Sequence, residues 1–367
     1  MTSGFDKPNV PFVNQLLVKL HRWLGLGCGI VMFLVCASGA ILSFEDEITG
    51  VLNRKLIVES DAAVSVDDFH AAAQGQLSSG EWVARIYLPL GRVKVQGADG
   101  ARFLYFHPAD ARFLGTGSEL MSWVIKFHRN LLLSKPGRWI TLVSACVVIV
   151  LLFSGLKLWW PNKLKTLPRR LSIKADGSRA RFFFDLHRVA GAYLFLPLLL
   201  ISLTGLNYSI VSDTYRHLIK SLAQSPPIPS VEPLPELGPE RLSLDEALKR
   251  ARLVFPEAVA TSVDFTKDKD GPLKIRFRHP TQPGEFGQSN VVLNPETGRV
   301  LRALNAMELS WGQQWIYVWA LPLHRGRAFG LAHQLVWLAV AIAGASLPLS
   351  GFYLWYSRRK RTSLERS

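Results

Sequence analysis

Four long apolar runs divide the chain. Trp23–Phe44 and Val189–Val211 contain no charged residue, Trp139–Trp160 has only Lys157, and Gly330–Tyr356 is interrupted only by His333. About 20 apolar residues span the hydrocarbon of a bilayer, so the pattern predicts four transmembrane helices. The first run lacks the small-residue cleavage site and short apolar region of a signal peptide, and reads as a retained anchor.

Between the runs the periodicity changes. In residues 45–120 a short helix over Val66–Ala73 precedes alternating stretches around Trp82–Leu88, Arg92–Val95 and Phe103–Phe106. These alternate as half-buried strands do. Residues 212–310 repeat the plan after a Pro-rich connector, Ser225–Pro239. Ser243 followed by Glu246 is a capping-box signal, and strands are expected over Ala260–Phe265, Leu273–Arg278 and both sides of the Asn294–Gly298 turn. The expected fold is mainly α, with four membrane helices and two small α+β domains on one side. The segments are an arm and first span (1–44), a first outside domain (45–120), an outer segment and second span (121–160), and a basic loop (161–188). The third span (189–211), a second outside domain (212–310), an outer segment and fourth span (311–357) and a tail (358–367) follow.

Charge sets the orientation. The 367 residues carry a net +15. Lys7, Lys19 and Arg22 lie in the arm, Lys157, Lys163, Lys165, Arg169, Arg170, Lys174, Arg179, Arg181 and Arg188 in or beside the middle loop, and Arg358, Arg359, Lys360, Arg361 and Arg366 in the tail. All fall on one side of a four-span chain. By the positive-inside rule that side is cytoplasmic, which places both termini in the cytoplasm and both α+β domains outside. The excess is thereby used by topology, and no basic motif interleaved with aromatics points to nucleic acid. Cys28, Cys36 and Cys146 all lie in spans, with no Cys-x-x-Cys-His for covalent haem.

The candidate chemistry is histidine. His21-Arg22 and His187-Arg188 each have a Ser/Thr-Gly pair ending 18 residues on, Ser38-Gly39 and Thr204-Gly205. His128-Arg129 and His324-Arg325 each have one ending 27 residues on, Ser154-Gly155 and Ser350-Gly351. The pattern reads as an internal duplication. Neutral imidazole ligates haem iron, one ring from each face, so two b-type haems are expected. His21 and His187 would hold one, and His128 with His324 or His333 the other. Arg22, Arg188, Arg129 and Arg325 could pair with propionates, although positive-inside bias alone would explain Arg22 and Arg188. Gly25, Gly29 and Gly191 either leave room for a macrocycle or serve close helix packing. His333 lies nine residues after His324, about 180° round an ideal helix, so both cannot face one haem from a straight helix. His70, His107 and His279 are expected at the surface. No nucleotide-binding or hydrolase motif is present, so electrons would come from a quinol or a cytoplasmic reductase.

The helix and strand–Asn-Pro-Glu-Thr-Gly–strand around Asn294–Gly298 resemble the PepSY domain. His21-Arg-Trp-Leu-Gly25, His187-Arg-Val-Ala-Gly191, His128-Arg-x-Leu-Leu-Leu-x-x-Pro-Gly137 and Leu323-His-Arg-Gly-Arg-Ala-Phe-Gly330 resemble the PepSY-associated transmembrane helix family. Ala111 stands where the first domain's turn would have Gly, and His333 where a small residue is usual. The resemblance implies an iron-related protein of the bacterial inner membrane, similar to FoxB-type reductases, with a ferric siderophore as the periplasmic acceptor. The chain is thus expected to be a membrane oxidoreductase, a di-haem b-type cytochrome. The rival expectations are a siderophore or iron transporter and a cofactor-free membrane binding protein.

Overall fold

The computed structural model describes residues 12–98, 100–174, 178–232, 241–268, 270–285 and 287–364. Lys7, Arg366, residues 233–239 of the connector and the side chain of Arg361 lie outside what is described. Four helices are long and apolar enough to cross a membrane: α1 (Phe12–Leu42), α5 (Ser134–Trp159), α7 (Arg179–Leu206) and α12 (Gly330–Leu364). Helices α1 and α7 begin two to three turns before the apolar runs Trp23–Phe44 and Val189–Val211. The basic residues there are compatible with helix, and Ser178 caps α7 by accepting from the Arg181 amide at 3.3 Å.

Helix α1 packs against α5 and α12, and α7 packs against the same two. Thus α1 and α7 form one diagonal of the bundle. Val148, Leu152, Leu194, Leu198, Val340 and Leu347 fill its centre. Ile30, Phe153, Leu196 and Ile342 point outward and are exposed, as suits lipid-facing positions.

Short helices join bundle and sheet. Helix α2 (Glu45–Leu52) follows α1, and α4 (Leu120–Asn130) precedes α5. A small α6 (Leu167–Arg170) lies in the loop before α7, and α8 (Ser212–Leu222) comes after it. Helix α10 (Trp311–Gln314), a π-helical turn (Trp315–Trp319) and α11 (Ala320–Arg325) lead to α12. The α4–α5 joint is tight. A Cβ on Gly137 would lie 1.7 Å from the Asn130 carbonyl oxygen, so only glycine fits. Leu131, Leu132 and Ser134 take positive φ to make the reversal.

The strands of the two regions between spans join in one sheet. Strands β1 (Trp82–Tyr87), β2 (Arg92–Gly97), β3 (Gly100–Phe106), β4 (Phe113–Thr116), β5 (Val259–Asp264), β6 (Leu273–Arg278), β7 (Ser289–Leu293) and β8 (Val300–Leu304) form one antiparallel sheet, ordered β4-β3-β2-β1-β5-β6-β7-β8. The seam is β1 against β5, with Arg85 opposite Asp264 and Tyr87 opposite Ser262. Helices α3 (Val66–Gln74) and α9 (Leu244–Val254) cover one face. A single core joins Phe69, Ile86, Val93 and Phe106 to Leu248, Val263, Ile275 and Phe277. The helix starts cap each other: Asp67 accepts from the amides of Leu244 (2.8 Å) and Asp245 (3.2 Å), and Asp245 accepts from that of Asp67 (3.5 Å). Local periodicity located most strands but carries no information on which edge strand meets which.

The sequence turns behave as their chemistry requires. Ser243 caps α9 through the Glu246 amide, while the Glu246 side chain pairs with Arg250. Asn294 Oδ1 accepts from the amides of Glu296 and Thr297, and Gly298 closes that turn at φ +66°. In the first half His107 and Ala111 close the matching turn, and Ala111 takes φ +53°. His70 is not a plain surface residue: it stacks on Phe265 with ring centres 4.5 Å apart.

Candidate functional site: two facing histidine pairs

The bundle brings the four His-Arg histidines together in two pairs. His21 on α1 faces His187 on α7 across the diagonal, with ring centres 6.3 Å apart and planes at 90°. At the sheet end, His128 on α4 faces His324 on α11, with ring centres 6.2 Å apart and planes at 67°. The helix break at Gly326 (φ +74°) puts His324 on its own helix, off the line of α12. His333 is buried elsewhere, edge-on to Trp337 and against Phe329, with no hydrogen bond at Nδ1.

Each imidazole is oriented by a Ser/Thr-Gly pair from another helix. His21 Nδ1 lies 2.9 Å from Ser154 Oγ. His187 Nδ1 lies 2.9 Å from Ser350 Oγ and 3.1 Å from the Leu347 carbonyl. His128 Nδ1 meets Ser38 Oγ (3.0 Å) and the Val35 carbonyl (3.1 Å), and His324 Nδ1 meets Thr204 Oγ1 (3.2 Å) and the Ile201 carbonyl (3.0 Å). A carbonyl only accepts, so Nδ1 must carry the proton at the three histidines that face one. The serine and threonine hydroxyls donate into their own helices, which leaves them acceptors for Nδ1–H at all four. The tautomer is thereby set with an unprotonated Nε2. The glycine of each pair lies against the ring: an added Cβ would be 3.1 Å from His21 Cε1 at Gly155, 3.1 Å from His324 at Gly205, 3.4 Å from His128 at Gly39 and 3.5 Å from His187 at Gly351. The contacts are reciprocal within each half of the chain, while the imidazole pairs join the halves.

The sequence showed the Ser/Thr-Gly spacing but not its use, because the serine serves a histidine on a different helix.

Between His21 and His187 opens a cavity of about 590 Å³. Gly25 and Gly191 line it, and neither is needed for helix packing: a Cβ on Gly191 would meet nothing within 4 Å, and one on Gly25 only Leu151 at 3.9 Å. Gly29 differs, since its Cβ would press Pro348 at 3.2 Å. Close helix approach therefore explains Gly29, and open space explains Gly25 and Gly191. Arg22, Arg170, Arg181, Arg188 and Arg358 also line the cavity. They come from the arm, the middle loop and the tail, so the three basic segments meet at the end away from the sheet. In the sequence, Arg170, Arg181 and Arg358 signal only topology. Asp185, fully buried, holds Arg181 and Arg188 at 3.0 Å each.

The sheet-end arginines differ from one another. Arg325 pairs with Glu45 (2.8 Å) and Asp46 (3.4 Å). Burial raises the pKa of Glu45, and Arg325 opposes that rise. Arg129 has no carboxylate partner among the described residues and donates to the Tyr208 carbonyl at 3.4 Å.

Two facing imidazoles with bare Nε2 atoms can bind one metal centre from opposite sides. No group of three or more His, Cys, Asp or Glu side chains able to hold a metal ion occurs among the described residues. Four apolar spans, a sheet on one end and two facing imidazole pairs define a multi-pass membrane protein. The model of the PepSY-associated TM region matches residues 18–358, and the chain belongs to that family. No curated protein matches it.

Proposed function

We propose that the protein is a di-haem b-type cytochrome of the bacterial inner membrane, passing electrons outward to a periplasmic acceptor, with a ferric siderophore as that acceptor. The observation that carries this reading is the pair of opposed imidazoles, each with Nδ1 engaged and Nε2 left for a metal. The ring centres stand 6.3 and 6.2 Å apart, close enough for both imidazoles of a pair to hold one iron between them. The open space beside Gly25 and Gly191 fits a flat macrocycle.

Haem bound at each pair would supply one-electron exchange between ferric and ferrous iron. The chain's own residues set the conditions. His21 and His187 would hold one haem, and His128 and His324 the other. Ser154, Ser350, Ser38 and Thr204 hold the rings and raise their basicity through Nδ1. Arg22 and, at the sheet end, Arg129 would pair with propionates, with Arg170 and Arg358 beside the same cavity; Arg188 and Arg325 also have carboxylate partners. Two levels in one bundle make a path across the membrane. The internal duplication, both termini in the cytoplasm and the sheet in the periplasm belong to the same reading, supported by the clustering of basic residues away from the sheet. A quinol or a cytoplasmic reductase would be the donor. Stopped-flow oxidation of the reduced protein tests the reaction. Haem bands should reoxidise on mixing with a ferric siderophore; a rate no faster than with buffer would sink the siderophore assignment.

A further inference from the structure

The sheet face opposite α3 and α9 carries a second cavity, of about 300 Å³, at the β1–β5 seam. Arg85, Tyr87, Ser262, Arg276 and Gln288 form its sheet wall, and Leu321 and Arg325 of α11 close it from below. Helix α11 is also the helix that carries His324, so the cavity adjoins the sheet-end imidazole pair.

We propose that this cavity is a binding site for a small polycarboxylate anion. Asp264 sits between Arg85 and Arg276, 2.7 Å from each, and locks both guanidiniums in place. Burial pushes its pKa up, but the hydrogen bond from Arg85 and the charges of Arg276 and Arg85 hold it below the usual carboxylate value. Asp264 takes two N–H groups of Arg85 and one of Arg276. A guanidinium has five N–H donors in a fork that matches a carboxylate, so donors remain for a ligand.

Further positive charge surrounds this pair. Lys94 is the register partner of Arg85, and Lys274 that of Asp264. Arg92 stacks on Tyr87 with its guanidinium carbon 4.0 Å from the ring centre. The opposing charges are Asp264, and Glu45 and Asp46, which engage Arg325. The cations outnumber them. Burial, and then the neighbouring arginines, lower the pKa of both Lys94 and Lys274. The arginines' share of that lowering reflects crowded positive charge, which a bound anion would relieve. A monocarboxylate would engage one guanidinium, whereas a ligand with several carboxylates can bridge the seam. A role in catalysis, with the ferric chelate of such a ligand as acceptor, rests on the cytochrome reading above; binding itself does not.

The test is calorimetric titration of citrate into the full-length protein in detergent at low salt. Saturable binding is expected, weakening steeply with added salt. K94Q/K274Q should weaken it at least ten-fold while leaving the thermal unfolding profile intact. K249Q, on the exposed side of α9, removes the same kind of charge from the opposite face and should bind as wild type. No binding at millimolar citrate, or equal binding by K94Q/K274Q and K249Q, overturns the proposal. Haem bands without citrate binding would defeat this site alone. Citrate binding by folded protein without haem bands would leave the site standing and defeat the cytochrome reading.

Discussion

The glycines beside the imidazoles differ by a few tenths of an ångström, and that difference has consequences. Replacing each by alanine adds one Cβ at a known distance from a histidine Cε1: 3.1 Å at Gly155 and Gly205, 3.4 Å at Gly39 and 3.5 Å at Gly351. All four glycines lie in helices, where alanine is favoured by about 1 kcal/mol. At 3.5 Å the new methyl is in ordinary contact, so Gly351→Ala should keep that gain and leave His187 in place. At 3.1 Å the ring must shift or turn. A side chain forced about 30° off its rotamer costs ~0.5–1.5 kcal/mol, and the weakened Nδ1 hydrogen bond about 1 kcal/mol more. In Gly155→Ala and Gly205→Ala these costs, roughly 1.5–2.5 kcal/mol together, exceed the helix gain. Reduced-minus-oxidised spectra during a thermal ramp read both quantities. Gly155→Ala and Gly205→Ala should shift or lose one haem component each, at a lower temperature than wild type. Gly351→Ala should be as stable as wild type or more so, with Gly39→Ala close to it. Equal effects at all four positions, or a larger effect at Gly351 than at Gly155, would refute the idea that these glycines set the imidazoles.

Other substitutions test separate parts of the account. His21→Ala and His187→Ala should lose the same spectral component, and His128→Ala the same one as His324→Ala. His333→Ala should keep both, and a match between His333→Ala and His128→Ala would move the ligand to α12. Gly137→Ala cannot be accommodated against the Asn130 carbonyl 1.7 Å away, so α4 should lose its seat and the His128 component should vanish; normal spectra would contradict the joint described here. Ala111→Gly relieves a left-handed alanine costing ~1–2 kcal/mol, less the ~0.5–1 kcal/mol entropy cost of glycine. The apparent Tm of sheet unfolding, followed by circular dichroism, should therefore stay level or rise by a few degrees, and a clear fall would argue against the turn.

Much of this was written in local pattern. Long apolar runs located the four spans, and alternation located most strands. The spacing of His-Arg and Ser/Thr-Gly marked every imidazole that ends in a pair. What the pattern lacked was long-range. Nothing near Ser38 says that its hydroxyl meets His128, and nothing near Trp82–Tyr87 says that this strand adjoins Val259–Asp264. Those contacts depend on which helices share a diagonal and which edges meet, so they emerge only from packing. The same holds for Arg325. Its position after His324 suggested an anion partner from a cofactor, yet the chain returns Glu45 and Asp46 to it from a distant helix. The Gly25 and Gly191 alternatives were equally matched in sequence, and the empty space around their would-be Cβ atoms separates them from Gly29.

The central claim is that each opposed imidazole pair holds a haem. A pyridine haemochrome assay on the purified full-length protein, scaled to polypeptide by amino-acid analysis, tests it most directly. The account predicts close to two b-type haems per chain, extractable by acidic solvent because no cysteine thioether holds them. A folded protein of native thermal stability that carries no haem, even after expression with excess haem precursor, would contradict it.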